Sequence, residues 1–148
     1  MGIISKDSVI MKQFNNFKRI KLDDVKREAV EVNDKELVEI NRQQMQGSRQ
    51  SDGLLPKYSQ ISLSLKDFSD YRGIFPHFNL RDTGSFQDKM YGTVQGDNYI
   101  VSSRDSKTGS LVARLGQEIF EYDTSSLQQV QMLVTRDYVK LVHEKINA

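Results

Sequence analysis

The 148-residue sequence has no cysteine and only two histidines. Without cysteine there is no disulfide, no thiolate nucleophile and no sulfur-ligated zinc. His77 lies beside Pro76 and His143 in a charged tail, and neither belongs to a His-x-x-His or His-Glu-x-x-His pattern. No metal and no cofactor is therefore expected. No run approaches the roughly 18 apolar residues of a membrane span, and residues 1–10 carry no long apolar stretch of the secretory kind, so no membrane partner is expected. An excess of one charge is missing too. The 21 bases and 20 acids leave a formal +1, which calls for neither nucleic acid nor an acidic ligand. What is present is a polar chain, 37% apolar and 28% charged, with a mean hydropathy of −0.57. It is long enough for one core of modest size. A thin core of this kind favours finishing its apolar face against a partner.

Catalytic patterns are absent as well. The serines have no Gly-x-Ser-x-Gly frame, and Ser85 follows glycine only as part of Thr-Gly-Ser. The adjacent carboxylates Asp23-Asp24 sit at a predicted helix start, where the helix dipole accounts for them. The segment Gly47 to Gly53 lacks the Gly-Lys-Ser/Thr ending of a phosphate loop and the alternating acids of a calcium loop. It reads as a turn, marked by Asp52-Gly53. The six tyrosines are scattered, without the basic interleaving of a nucleic-acid platform. The chain does not read as an enzyme.

Taken in order, residues 1–20 form an N-terminal arm, extended or partly helical. Phe14 and Phe17 are three apart, and Asn15-Asn16 between them weakens a helix. The aromatics either fold back on their own domain or dock on a neighbouring subunit. Residues 21–148 read as a single α+β assembly domain. Leu22, Val25, Ala29 and Val32 mark one helix face, which Leu37 and Ile40 continue with a phase shift at Asn33-Asp34. This is read as one long N-terminal helix ending at a Gly47 cap; two shorter helices, the second capped by Asn33 and Glu36, are the alternative. The alternation in Ile61-Ser62-Leu63-Ser64-Leu65 predicts a half-buried strand. Ile74 to Phe78, broken by Pro76, reads as an edge or connector.

Asp82-Thr83-Gly84 is a turn or cap, followed by Phe86 and Met90 four apart, the spacing of a short helix laid on a sheet. Met90–Val94 and Tyr99–Ser102, joined by Gly96-Asp97-Asn98, predict a β-hairpin in a small, mostly antiparallel sheet. Residues 110–115 read as helical turns ending at Gly116, with Ile119-Phe120 as an apolar anchor. A C-terminal helix follows, with Ser125 and Gln128 as its capping box and Leu127, Val130, Val134, Tyr138 and Leu141 as its apolar stripe.

Three pieces of this chain carry a family resemblance. They are Asn41-Arg42-Gln43-Gln44-Met45 with Gly47, Ser51-Asp52-Gly53 and Tyr58-Ser59; Asn79 to Asp88; and Leu111 to Phe120 ahead of the last helix. Their order resembles small structural proteins of phages and prophages of gut Bacteroidetes-type hosts. The middle piece is similar to the Asp-Thr-Gly-x-Leu-x-x-Ser signature of tail-completion and head–tail joining proteins of tailed phages. Phe86 stands for the leucine, and Lys89 departs from the serine. The resemblance implies a virion protein without catalytic residues, forming a homo-oligomeric ring in the neck or tail. Its implied partners are itself and the portal, connector or tail-tube proteins, with DNA no more than nearby in the channel. It implies assembly in the host cytoplasm. A small soluble protein-binding adaptor is the alternative. Asp82, Thr83, Gly84 and Phe86 form the structural motif. The candidate subunit contacts are Phe14 and Phe17 on the arm, Ser51 and Asp52 in the first loop, and Arg104 in the second.

Overall fold

The computed structural model describes residues 9–51, 53–65, 71–81 and 84–148. Among these the fold is α+β, with seven α-helices and two antiparallel two-stranded sheets. The chain divides into two compact units. The first, described from Val9, joins the stretch up to Asn33 with Gln131–Ala148; the second is Asp34–Val130.

In the first unit, helix α1 (Val9–Arg19) precedes α2 (Leu22–Val32). The Asn15-Asn16 pair does not interrupt α1. Asn16 instead donates its amide to the carbonyls of Ile146 and Ala148 at 2.8 and 3.1 Å, which replaces its water partners in the helical state. Helix α2 buries Val25 and Ala29. The long helix expected over 22–46 is broken: α2 stops at Val32, and α3 (Asp34–Gln46) begins after Asn33. The reason is Asn33, which caps α2 and turns its buried side chain inward. Its amide donates to Ala29 O and to Asp137 Oδ2, each at 2.8 Å. The phase shift in the apolar pattern is therefore a true helix boundary.

Helix α7 (Thr124–Ile146) crosses from the second unit into the first. Its start differs from the expected Ser125–Gln128 box. Asp123 is the cap, its Oδ1 accepting from Ser126 N at 2.8 Å and its carbonyl from Leu127 N at 2.8 Å. Within the first unit α7 is tied to α2 by the Asp137–Asn33 bond and by a 3.5 Å ion pair between Lys145 and Glu28.

The second unit holds the main core, where Val38 and Met45 of α3 meet Leu55, Phe86, Met90, Val101, Ile119 and Phe120. Burying one such side chain contributes roughly 1.5–3 kcal/mol. After α3 the left-handed residue is Ser48 (φ 62°), not Gly47. Ser48 N closes the helix on Met45 O at 2.9 Å. A side chain in this conformation is strained, and here it is held by bonds: the fully buried Ser48 Oγ accepts from Ile74 N at 2.9 Å and donates to Tyr71 Oη at 3.0 Å, while Tyr71 donates onward to His77 O.

A tight hairpin of β1 (Arg49–Gln50) and β2 (Gly53–Leu54) follows. The strand expected over 61–65 is instead helix α4 (Gln60–Leu65). Among the described residues no strand pairs with it, and Ser59 starts a helix, its Oγ accepting from Ser62 N at 3.2 Å. Ile61 and Leu65, four apart, are 72% and 81% exposed. The next helix, α5 (Ser85–Asp88), is a single turn.

The expected hairpin is present as β3 (Met90–Gln95) and β4 (Asn98–Ser103), with Gln95 opposite Asn98 and Gly96 at φ 59° in the turn. Helix α6 (Thr108–Leu115) and a 3-10 turn (Gln117–Phe120) complete the unit, and Ile119 and Phe120 anchor it as expected.

Candidate functional site

Helix α1 is the feature whose packing is unusual. Ile10, Phe14 and Phe17 recur at i, i+4 and i+7, so they share one face. They are 64%, 51% and 47% exposed, and no residue of α1 is buried. Two of its polar side chains bond to the last residues of the chain. Gln13 donates to Asn147 Oδ1 at 2.6 Å, and Asn16 caps the chain end through Ile146 and Ala148. The apolar face is left outward. Lys18 lies over the Phe14 ring, 4.9 Å from its centre. Lys12, Lys18 and Arg19 give the helix three bases and no acid.

The corner between α1 and α2 forms a shallow cleft of about 380 Å³. Ile20 and Val25 supply its apolar lining, and Asp24, Glu28, Arg19, Lys21 and Lys145 its charges.

In the second unit the expected motif is a core element. Asp82 and Thr83 lie outside the described residues. Gly84 (φ 89°) opens α5 without a side-chain cap. Phe86 is buried against Phe120, with ring centres 5.7 Å apart. Met90, four residues after Phe86, is not on α5 with it but is the first residue of β3, where the predicted hairpin strand begins, and both enter one core.

Buried polar side chains hold this turn, and hydropathy gives no sign of them. Gln87 Nε2 donates to Asn79 O at 2.7 Å and its Oε1 accepts from Gln46 Nε2 at 3.0 Å. Arg42 donates to Gln87 O at 2.9 Å and pairs with Glu39. Ser103 donates to Phe86 O at 2.7 Å, and Ser85 to Asp105 Oδ2 at 2.6 Å. The Ser85 bond, followed by the backbone N–H of Lys107, holds the Asp105 carboxyl below the usual carboxylate range.

A polar cleft of about 310 Å³ lies among Gln46, Arg72, Asn79 and Arg81. It stands at the C-terminal end of α3, where cations complement the helix dipole. That role suffices for its two arginines.

The remaining candidate contacts are separately engaged. Ser51 N donates to Glu118 O at 3.4 Å. Arg104 lies on the Tyr91 ring, 4.3 Å from its centre. Asp52 lies outside the described residues. Among the described residues no group of three or more His, Asp or Glu is placed to hold a metal, and no helix is long and apolar enough to cross a membrane.

No family model, no curated protein and no solved structure matches this chain. The α1 face is the site that the geometry itself singles out.

Proposed function

We propose that this chain is a non-catalytic assembly protein that joins copies of itself through α1. Its setting is a homo-oligomeric ring in the neck or tail of a tailed-phage virion, with portal, connector or tail-tube proteins as neighbours. One observation carries the reading: α1 is bonded through its polar side and leaves Ile10, Phe14 and Phe17 outward. Burying such a face stabilises an association by roughly 25 cal/mol for each Å² removed from water, and contiguous exposed apolar surface marks an interaction site.

Charge favours a second copy as the occupant. Residues 9–21 hold four bases and no acid, whereas residues 22–148 hold 16 bases and 19 acids. A basic apolar helix and an acidic remainder complement each other between copies. The virion setting rests on the order of the three sequence pieces and on the Asp82-Thr83-Gly84-x-Phe86 motif.

The test is native mass spectrometry and imaging of the full chain, alone and with a portal-type partner, beside Phe14→Ser/Phe17→Ser. The wild type is expected to form closed rings, alone or on the partner. The double variant is expected to stay monomeric with an unchanged circular dichroism spectrum and melting temperature. A wild type that remains monomeric in every mixture overturns the proposal. Binding of α1 to anionic vesicles, without self-association, overturns it in favour of a lipid surface.

A further inference from the structure

In the second unit, the cleft of about 310 Å³ is bordered by Gln46, Arg72, Asn79 and Arg81. The end of α3 explains why bases gather there, but it leaves their N–H groups unused. Among the described residues neither guanidinium bonds to an α3 carbonyl or pairs with a carboxylate. Asp88 comes nearest to doing so. Its Oδ2 and Arg81 Nη2 lie 3.4 and 4.0 Å from the point where a Gly84 side chain would begin, yet the two form no ion pair.

Asn79 is the group that the helix end does not explain. It is 3% exposed, and three bonds fix its orientation. Its Oδ1 accepts from Tyr58 Oη at 3.2 Å and from Arg81 N at 3.1 Å, and its carbonyl accepts from Gln87 Nε2 at 2.7 Å. A backbone N–H only donates, so the atom facing Arg81 N is the amide oxygen and the other is the NH₂ group. Leu80, between them, is left-handed at φ 57°, a costly conformation for a non-glycine residue. The nitrogen, Nδ2, has no partner among the described residues and is not enclosed, because Asn79 borders the cleft. Buried amides normally have their donors satisfied. Here the oxygen is satisfied twice and the donor is left at the cleft.

We propose that this cleft binds a phosphate group, carried by inorganic phosphate or by a small phosphomonoester. Each guanidinium offers a fork of two N–H donors, and Asn79 Nδ2 adds a fifth. A carboxylate has about four acceptor positions on two oxygens, whereas a phosphate with three or four free oxygens accepts all five. The helix end carries about half a negative charge, so with Asp88 counted the two guanidiniums remain in excess. The volume matches the lower end of small-molecule sites, roughly 300–1,000 Å³. The site makes no use of α1 and stands apart from the assembly reading.

Calorimetric titration of the full chain tests this, with inorganic phosphate, phenyl phosphate, diethyl phosphate and acetate as separate probes at constant ionic strength, so that screening does not vary. The first two are expected to bind. Diethyl phosphate and acetate, each with two free oxygens, are expected to bind about tenfold or more weakly. Phenyl phosphate binding tighter than inorganic phosphate assigns a monoester; the reverse order assigns the free ion. Arg72→Gln/Arg81→Gln is expected to weaken phosphate binding about tenfold or more through lost charge-assisted bonds. Asn79→Asp keeps the oxygen that Tyr58 and Arg81 N require and replaces the free donor with a negative charge, so binding is expected to vanish while circular dichroism stays that of the folded chain. Should Asn79→Asp fail to fold, the arginine pair, exposed on the surface, decides the question. Phosphate binding unchanged in the folded variants overturns the site. Acetate bound as tightly as phosphate overturns the assignment in favour of a carboxylate. A wild type that binds neither small phosphate, by calorimetry or by a shift in melting temperature, overturns it as well. Retention of a duplex oligonucleotide through the same arginines, without response to small phosphates, overturns it in favour of nucleic acid.

Discussion

The Tyr99 hydroxyl donates to Asp34 Oδ1 at 2.6 Å, and it does so across the backbone of Gly92. A methyl group on Gly92 would overlap the Tyr99 hydroxyl and stand 2.6 Å from Asp34 Oδ1. The hairpin and the first turn of α3 are thus joined at a position where strand β3 needs glycine for space, not for its dihedral angles.

The first prediction is that Gly92→Ala destabilises the chain by about 1–3 kcal/mol, the usual cost of overpacking. Tyr99→Phe loses the bond to a carboxylate, at about 1.5–3 kcal/mol. Because the two changes act on one contact they should not add. Urea unfolding of both single variants and the double variant measures the coupling. Strict additivity would show that Gly92 is not there for the Tyr99 hydroxyl.

The second prediction concerns alkaline pH. Burial, then the Asp34 carboxylate that accepts its hydrogen bond, pushes the Tyr99 phenol up from the usual value of about 10. Burial, then the Asp34 charge, does the same to Tyr122, whose hydroxyl donates to Leu37 O at 2.7 Å. Both groups are neutral in the folded state where unfolded phenols would ionise. Their contribution is therefore complete below about pH 10 and is lost as pH rises from there towards the raised folded values. Tyrosinate absorbance should show Tyr99 and Tyr122 ionising only with unfolding. Ionisation of Tyr99 or Tyr122 in the still-folded chain, read as its loss in Tyr99→Phe or Tyr122→Phe, would refute this.

Acid acts through Asp105 in the opposite sense. The Ser85 hydroxyl and then the Lys107 N–H depress its carboxyl, so its stabilisation is present above the ordinary aspartate value of about 3.9 and fades as pH falls through the lower folded value. Asp105→Asn should flatten the acid limb of the stability curve, and Ser85→Ala should flatten it partly. An unchanged acid limb in Asp105→Asn would contradict the assigned role.

How far these relationships could be read in the sequence follows from their range. Hairpin β3–β4, helix α6 and the apolar stripe of α7 depend on residues a few positions apart, so turn residues and periodicity revealed them. The alternation in residues 61–65 misled because a period of two makes a strand only when a neighbouring strand accepts its bonds, and none does among the described residues. Asn33 showed in the sequence as a phase shift, but its tie to Asp137 lies 104 positions away, and that tie makes the shift a break. Gln44 and Gln87 are of a residue type that is mostly exposed. Each is buried because distant backbone groups complete its amide, Glu121 O and Asp123 N for Gln44 and Asn79 O for Gln87. The α1 face was legible as Phe14 and Phe17, and its outward orientation was not, since that depends on the chain end meeting Gln13 and Asn16.

Asn41 supplies the fourth prediction. It is fully buried on α3, and neither amide atom meets a hydrogen-bonding group among the described residues. An unsatisfied buried amide costs about 1–3 kcal/mol, whereas an apolar side chain of similar shape has no such cost. Asn41→Leu is expected to raise the midpoint of urea unfolding without changing its slope. A lower midpoint would mean that an internal water completes the amide, as buried polar sites often hold one.

Gln87 is the contrasting case and the last prediction. Its amide satisfies Asn79 O and Gln46 Nε2, and its own carbonyl accepts from Arg42, so the turn at Ser85–Asp88 is anchored by one side chain and its backbone together. Gln87→Leu keeps the volume but leaves Asn79 O and the Gln46 amide without that partner, a loss of about 1–3 kcal/mol for each group that stays buried. Gln87→Glu keeps an acceptor for Gln46 but turns a donor into a second acceptor against Asn79 O, and it puts a charge on a buried side chain. The expected order of stability is therefore wild type, then Gln87→Leu, then Gln87→Glu at neutral pH. Lowering the pH should recover Gln87→Glu specifically, because a protonated carboxyl can donate to Asn79 O again. A glutamate variant as stable as wild type at neutral pH would show that water reaches Gln87 and that the motif is held by Phe86 and Met90 alone.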